Sequence, residues 1–242
     1  MDRAIYDRMA EIDGEHWWFS ARRRIVSALI AAQTDLKPGA RILEVGAGTG
    51  SNLTMLAQHG RIDAIEPDEA ARALASQRGG IVVMGGLLPD GVMLEDGAYD
   101  LIVLLDVLEH IEDDKSTLAV LRGKLAPGGR LLLTVPAAPW LWSAHDVAHH
   151  HKRRYTAPAL RAVLKAGGFR LRHMSHFNSL LFPLIAAARG VGKITRREGG
   201  DDSMPPAPIN MLLEGLFASE RHWVTRRSLP FGVSLLAVAE PG

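Results

Sequence analysis

The segment from residue 41 to residue 52 constrains the fold most, because it combines a buried strand, a glycine-rich turn and the start of a helix. Its apolar residues, Ile42, Leu43 and Val45, predict a strand that is buried on both faces, and glycines follow at every second position. Glycine permits positive φ and removes the Cβ atoms that keep a ligand away, while the N–H groups of the next helix point into the same crevice. The pattern therefore predicts a nucleotide-type binding site.

Two side chains narrow the choice of ligand. Glu44 lies one residue before the end of the strand, where a carboxylate repels a pyrophosphate and favours a ligand that carries an ammonium group. Ser51 stands where a dinucleotide-binding Gly-x-Gly-x-x-Gly motif needs glycine or alanine, which disfavours an NAD-dependent reductase. A tight turn without a ligand is the alternative for the three glycines alone. The motif resembles that of the class I S-adenosylmethionine (SAM)-dependent methyltransferases.

A second acid supports this resemblance. Residues 62–68 predict a second strand that ends in Glu66, sixteen residues beyond Gly50. A parallel βαβ unit brings a carboxylate at about this distance to the ribose hydroxyls of an adenosine. Glu66 is therefore the predicted ribose ligand, and a solvated acid at the end of a strand is the alternative.

Length and composition agree with one domain over residues 1–242. With 242 residues and 47% hydrophobic content, the chain can bury a large single core. The formal charge of +1 gives no electrostatic attraction to nucleic acid, and no nucleic-acid partner is expected. The absence of cysteine excludes disulfides, thiolate metal sites and a cysteine nucleophile. The first residues lack the apolar core of a signal peptide, so a cytoplasmic location is the default expectation.

Alternating helical and strand patterns predict an α/β fold. Further strands are expected at residues 81–84, 99–106, 129–136, 169–177 and 234–239. The resemblance implies a Rossmann-like doubly wound, seven-stranded sheet of order 3-2-1-4-5-7-6 with an antiparallel strand 7. An N-terminal helical cap over residues 1–35 and a helical insertion over residues 178–228, between strands 6 and 7, are expected to complete the domain.

The resemblance also implies the cofactor site, which it places at the glycine turn and at the ends of strands two, three and four. Gly86 stands where many relatives carry an aspartate that binds the adenine amine, so a backbone group or another side chain must recognise the adenine here. The residues implied are Glu44, Gly46, Ala47, Gly48, Gly50, Asn52, Glu66, Pro67, Gly85, Gly86, Leu87, Asp106, Val107 and His110.

The N-terminal segment predicts a lid over the cofactor. Three aromatic residues at 17–19 and three arginines at 22–24 lie just before a helix that runs to about Gln33. Trp18 can present an aromatic face to the sulfonium and Arg22 a guanidinium to the carboxylate of SAM. The alternative, a helix whose tryptophans pack on the sheet, is compatible with the lid.

The chain after strand five is rich in imidazole. His145 is followed by Asp146, and three consecutive histidines occupy residues 149–151. A metal site is disfavoured, because adjacent histidines cannot all turn to one ion and the sequence offers no second cluster of carboxylates nearby. A general base is favoured, with His145 or His151 as the catalytic residue, because an imidazole of pKa ~6.5 can take a proton from a hydroxyl. Hydrogen bonding within the loop is the alternative.

The insertion contains an apolar helix over residues 178–188, which is far shorter than the ~20 residues that span a bilayer. A polar linker is expected at residues 190–208, and a second helix at 209–226 is expected to pack against the first. The pair can form an acceptor pocket, a dimer surface or a peripheral contact with a lipid-linked substrate. The oligomeric state is left open between monomer and homodimer.

These patterns favour SAM-dependent methyl transfer, with S-adenosylhomocysteine as the product. The Trp-Trp-Phe segment and the Lys-Arg-Arg-Tyr-Thr sequence at 152–156 resemble a bacterial methyltransferase subgroup associated with glycan or secondary-metabolite assembly. O-methylation of a small, carrier-linked or lipid-linked acceptor is therefore expected. Intramolecular cyclisation of SAM and a non-catalytic SAM-binding module are the alternatives.

Overall fold

The computed structural model describes residues 3–195 and 203–242, and these ranges contain one seven-stranded sheet of order β3-β2-β1-β4-β5-β7-β6. The first five strands pair in parallel, whereas β7 is antiparallel to both β5 and β6. This topology confirms the predicted Rossmann-like α/β fold with its antiparallel seventh strand. The strands are β1 (Arg41–Val45), β2 (Arg61–Ile65), β3 (Val83–Met84), β4 (Tyr99–Leu105), β5 (Leu125–Pro136), β6 (Phe169–Phe177) and β7 (Ser234–Pro241).

Helices connect the strands and cover both faces of the sheet. Several begin at polar residues that satisfy free N–H groups; Asp68, for example, accepts hydrogen bonds from the N–H groups of Ala70 and Ala71. The helices are α1 (Arg3–Ile12), α2 (Trp17–Gln33), α3 (Leu53–Ala57), α4 (Glu69–Gly79), α5 (Asp114–Lys124), α6 (Ala144–Ala148), α7 (Ala157–Ala166), α8 (Phe182–Thr195), α9 (Ala207–Ser219) and α10 (Arg221–Val224).

The central strand β4 divides the core into two layers. Ile102 and Leu104 face a layer that contains apolar residues of α5 and α7, while Leu101 and Val103 face a layer formed by α2 and α9. All four side chains are fully buried. The side chains of a strand alternate between the two faces of the sheet, and each face is covered by one of these layers. The uninterrupted apolar sequence of β4 therefore reflects helices on both sides.

The third strand is shorter and the fifth strand longer than predicted. The third strand is limited to Val83–Met84, because it lies at the edge of the sheet and Val82 is 88% exposed. The fifth strand begins at Leu125 rather than at residue 129, and the Pro-Gly-Gly sequence lies inside it, where its register against β4 shifts.

The helical insertion differs from the expectation in its packing. Helix α9 packs against α2: Asn210 Oδ1 accepts a 2.9 Å hydrogen bond from the N–H of Trp17, and Asn210 Nδ2 donates to the carbonyl of Glu15 at 2.9 Å. Arg24 and Glu214 form an ion pair of 2.9 Å between the same helices. This second helix thus packs on the N-terminal segment, where Asn210 supplies a donor to Glu15 and an acceptor to Trp17.

The predicted helix at 209–226 is divided into α9 and α10, and the predicted linker is shorter than expected. Residues 190–195 continue α8 and α9 begins at Ala207, while residues 196–202 of that linker lie outside the described residues. Each helix within the described ranges is too short or too polar to cross a membrane.

Candidate functional site

A cavity of about 750 Å³ opens at the carboxyl ends of the parallel strands, between the glycine turn and the loop that contains α6. The side chain of Tyr6 and those of Trp18 and Arg22 close one side of it. Most of the predicted cofactor residues line this cavity, and so do both predicted catalytic histidines, His145 and His151. The cavity therefore brings together the two groups of residues that the sequence analysis assigned to cofactor and acceptor. Three predicted residues lie behind its lining: Glu44, Gly50 and Gly85.

The glycines of the turn have different roles. Gly48 has a φ of 54°, and a Cβ atom built on it would meet no described atom within 4 Å, so its backbone faces the open cavity. A Cβ atom on Gly50, by contrast, would lie 2.7 Å from Cα of Ala75 in α4. Gly48 thus provides the close approach to a ligand, and Gly50 allows the turn to pack against a helix.

Glu66 is held at the end of β2 by three donors. Its Oε2 accepts a hydrogen bond of 2.7 Å from the N–H of Gly48, and its Oε1 accepts bonds from the N–H of Asp68 at 3.0 Å and the hydroxyl of Tyr6 at 3.2 Å. Burial raises the pKa of Glu66. The carboxylate lies beside the turn as predicted for a ribose ligand. Tyr6 was missed, because only the fold brings α1 to this strand end.

Glu44 lies fully buried beneath the turn. Its Oε1 accepts a 2.9 Å hydrogen bond from Asn52 Nδ2, and burial raises the pKa of Glu44 to about 7. Among the described residues, Glu44 Oε2 and Asn52 Oδ1 have no hydrogen-bond partner. Asn52 lines the cavity, so these two buried acceptors provide an environment that suits the ammonium group of an amino-acid ligand.

Arg22 forms an ion pair with Asp106 across the cavity wall. Its guanidinium carbon also lies 4.5 Å from the ring centroid of Trp18. One face of this indole is therefore in a cation–π contact with Arg22. Asp106 has a φ of 57°, a left-handed conformation that non-glycine residues rarely adopt and that recurs at functional sites. Arg22 thus joins Trp18 of α2 directly to the end of β4.

The glycines at the end of the third strand also have a packing role. A Cβ atom on Gly86 would lie 2.1 Å from the carbonyl oxygen of Gly91, so its lack of a side chain is required by its own loop. A Cβ atom on Gly85 would lie 2.9 Å from the guanidinium of Arg72. Leu87 lines the cavity and is 69% exposed, which leaves it accessible to a flat ring.

The opposite end of the cavity contains the histidines. Asp146 Oδ1 lies 2.9 Å from His151 Nδ1 and accepts a 2.7 Å hydrogen bond from Arg154 Nε. Burial opposes the charge of Asp146, but these two hydrogen bonds hold its pKa well below the ordinary value. Asp146 thus pairs with His151, five residues further along the chain. The ring of His145 packs against that of His149, with 4.1 Å between centroids.

Glu109 is a further residue of this region that the sequence analysis missed. Its side chain is fully buried, and neither carboxylate oxygen has a hydrogen-bond partner among the described residues. Burial and the nearby Asp106 raise its pKa well above the ordinary value. Burial together with the neighbouring imidazoles of His151 and His149 lowers the pKa of His110 to about 3, which keeps it neutral. The carboxylate of Glu109 thus lies close to these histidines, because the turn after β4 meets the loop after β5.

Comparison with known proteins places this cavity among methyltransferases. The sequence profile of the family described as "Methyltransferase domain" matches residues 17–174. A trans-aconitate 2-methyltransferase of Deinococcus radiodurans is 30% identical over 151 residues, which are 62% of this chain and 54% of that protein. A ubiquinone biosynthesis O-methyltransferase of Xanthomonas euvesicatoria pv. vesicatoria is 26% identical over 71% of this chain and 80% of its own length. The chain thus spans about half of the first relative and four fifths of the second.

A solved structure supports the fold over nearly the whole chain. It is a complex between the Trm112 methyltransferase activator of Haloferax volcanii and a methyltransferase, with a TM-score of 0.65 and 18% identity. The match covers 98% of this chain and 94% of that chain. At this identity the likeness concerns the fold.

Proposed function

We propose, from the premise that this chain belongs to the methyltransferase-domain family and uses SAM, that it transfers a methyl group to an oxygen atom of a small or carrier-linked acceptor. One observation carries the proposal. A single cavity joins the glycine turn and Glu66 at one end to the imidazoles of His145 and His151 at the other.

The residues at the first end suit each part of SAM. Gly48 leaves room for the close approach of the ligand, and Glu66 offers acceptors to the ribose hydroxyls. Asn52 and the buried Glu44 beneath it accept hydrogen bonds from the ammonium group. When bound there, SAM supplies an electrophilic methyl group on its sulfonium. The chain then has to align the acceptor with that group, exclude water and accept a proton.

The second end favours an oxygen acceptor. A neutral amine already carries the lone pair that attacks a methyl group, whereas a hydroxyl becomes a good nucleophile only as it loses its proton. Transfer forms an O–C bond, breaks the S–C bond and sends the hydroxyl proton to an imidazole. Asp146 orients His151 through Nδ1, and His145 lines the same part of the cavity. The O-methyltransferase name of the Xanthomonas relative agrees with this choice.

The acceptor enters past α8. Ile185 and Arg189 of this helix line the cavity, and the neighbouring Leu184 is 62% exposed. An apolar rim beside a cation suits an acceptor attached to an apolar or acidic carrier, such as a lipid-linked glycan intermediate.

The experiment is mass spectrometry of SAM incubated with the purified protein and fractionated cell extract, with isotopically labelled SAM to mark the methylated product. The expected result is S-adenosylhomocysteine together with a labelled methyl ether or ester. The Glu66→Ala variant is the control for the cofactor site. Methylthioadenosine would indicate cyclisation of SAM, and a labelled N-methyl product would contradict the choice of oxygen.

A further inference from the structure

Three potential metal ligands meet at the acceptor end of the cavity. Glu109 and His110 lie in the 3-10 turn that follows β4, and His151 lies in the loop after α6. One ligand atom of each residue can be chosen so that all three lie within 4.8 Å of one another. The three side chains line the same cavity, so an ion bound there would retain access to a substrate.

The buried carboxylate of Glu109 requires a partner. The side chain has no exposed surface, and its two oxygens accept no hydrogen bond from the residues that the structure describes. A buried carboxyl group without a hydrogen bond is costly, and the cost is offset by a proton or by a cation. The unsatisfied oxygens are therefore available to a proton or to a cation.

His151 is oriented as metal-binding histidines usually are. Its Nδ1 lies 2.9 Å from Oδ1 of Asp146. The Asp146 carboxylate is itself held in place, at Oδ1 by Arg154 and at Oδ2 by the N–H of Ser143. A carboxylate at Nδ1 keeps the proton on that nitrogen, so Nε2 presents a lone pair. This Nε2 lies 4.0 Å from Glu109 Oε1, too far for a hydrogen bond.

The separations are somewhat longer than those around a bound ion. Two ligand atoms, each about 2.1 Å from a tetrahedral zinc-sized ion, lie ~3.4 Å apart. The 4.0 Å between Glu109 Oε1 and His151 Nε2 exceeds this separation by about 0.6 Å, and all three ligand atoms lie within 4.8 Å of one another. Binding of an ion therefore requires the three side chains to rotate toward it.

We propose that Glu109, His110 and His151 bind one divalent first-row transition-metal ion, with Asp146 as the positioning residue of His151 and with open coordination positions toward the acceptor. Two imidazoles and one carboxylate form a ligand set that such ions accept, whereas Mg²⁺ and Ca²⁺ prefer oxygen ligands alone. The existence of the site is independent of the proposed function. Its role rests on that function: an acceptor hydroxyl bound to the ion loses its proton more readily, and His145 can receive it.

The test is a titration of the full chain, freed of metal with a chelator, with Co²⁺ and Zn²⁺. Co²⁺ bound to nitrogen and oxygen ligands is expected to give visible absorption that saturates at one ion per chain and disappears when Zn²⁺ is added. Glu109→Gln and His151→Gln should each raise the dissociation constant at least tenfold. Asp146→Asn should raise it about 10–100-fold, since it removes only the support of a ligand.

Two controls separate loss of the site from loss of the fold. His150→Asn changes the exposed histidine next to His151, at a φ of 55° that asparagine tolerates, and should bind Co²⁺ as the unchanged protein does. Binding of SAM, measured by calorimetry, should be retained in Glu109→Gln. Absence of stoichiometric Co²⁺ and Zn²⁺ binding, or equal binding by the Glu109→Gln and His151→Gln variants, overturns the proposal.

Activity distinguishes this inference from the proposed function. If the unchanged protein transfers methyl groups to oxygen but binds neither Co²⁺ nor Zn²⁺, the metal site is wrong and the proposed function stands. If the ion binds and the methyl group reaches an atom other than oxygen, the metal site stands and the proposed acceptor is wrong.

Discussion

The hydroxyl of Tyr6 donates a 3.2 Å hydrogen bond to Glu66 Oε1, which links the first helix to the carboxylate predicted to bind ribose. Replacing Glu66 by alanine should weaken SAM binding about tenfold or more, because roughly 1.5–3 kcal/mol of hydrogen bonding to a charged group is lost. Calorimetry with SAM measures the change. Glu69→Gln, an exposed acid on the following helix, is the matched control. An unchanged dissociation constant in Glu66→Ala would remove Glu66 from the site.

The N-terminal segment should become more protected when SAM binds. Tyr6, Trp18 and Arg22 all line the cavity, so a ligand there contacts α1 and α2 and restricts their opening. Hydrogen exchange of residues 17–24, measured with and without SAM, should slow on addition of the ligand. Exchange in α7, which contributes no residue to the cavity lining, serves as the internal control. Equal protection of residues 17–24 in both states would leave them a packing role alone.

The stability of the protein should depend on pH through Glu44. Burial raises its pKa from 4.5 to about 7 in the folded chain. The native state therefore binds this proton more tightly than the unfolded state, and the free energy of unfolding falls as pH rises between these two values. The slope contributed by one group is at most about 1.4 kcal/mol per pH unit.

Glu44→Gln should remove that contribution, because glutamine stays neutral. Urea unfolding at several pH values between about 5 and 8 measures it, and the variant should show a flatter profile than the unchanged protein. Identical profiles for the two proteins would mean that Glu44 is charged in the native state across this range.

Replacing His151 by alanine should lower turnover about 10²–10⁴-fold and leave SAM affinity nearly unchanged, since the residue lies at the acceptor end of the cavity. Comparison with His145→Ala shows which of the two imidazoles accepts the proton of the hydroxyl, and His150→Asn is the control. Initial rates under saturating SAM give turnover, and calorimetry gives affinity. Near-normal turnover in both alanine variants would exclude an imidazole of this loop as the proton acceptor.

The cofactor end was predictable because its residues are close in sequence. Gly46, Gly48 and Glu66 belong to two consecutive strand ends, and the apolar runs before them predict those strands directly. The resemblance to a known family supplied the strand order, which the apolar pattern alone does not determine.

The acceptor end was harder to predict because its contacts join distant segments. Glu109 is one of several acids between residues 106 and 114, and only the pairing of β4 with β5 brings it to His151. Asp146 could be assigned to His145 from sequence adjacency, whereas the short helix α6 directs it to His151 and Arg154. Tyr6 gave no signal, because its partner lies sixty residues away.

The position of β7 has a consequence for synthesis of the protein on the ribosome. This strand lies between β5 and β6, and β6 has β7 as its sole neighbour in the sheet that the structure describes. Until residues 234–241 have left the exit tunnel, β5 has an open edge and β6 has no partner, although the other described strands can already pair. Open edges of this kind associate with other chains, so the nascent protein should need protection by a chaperone until β7 is inserted.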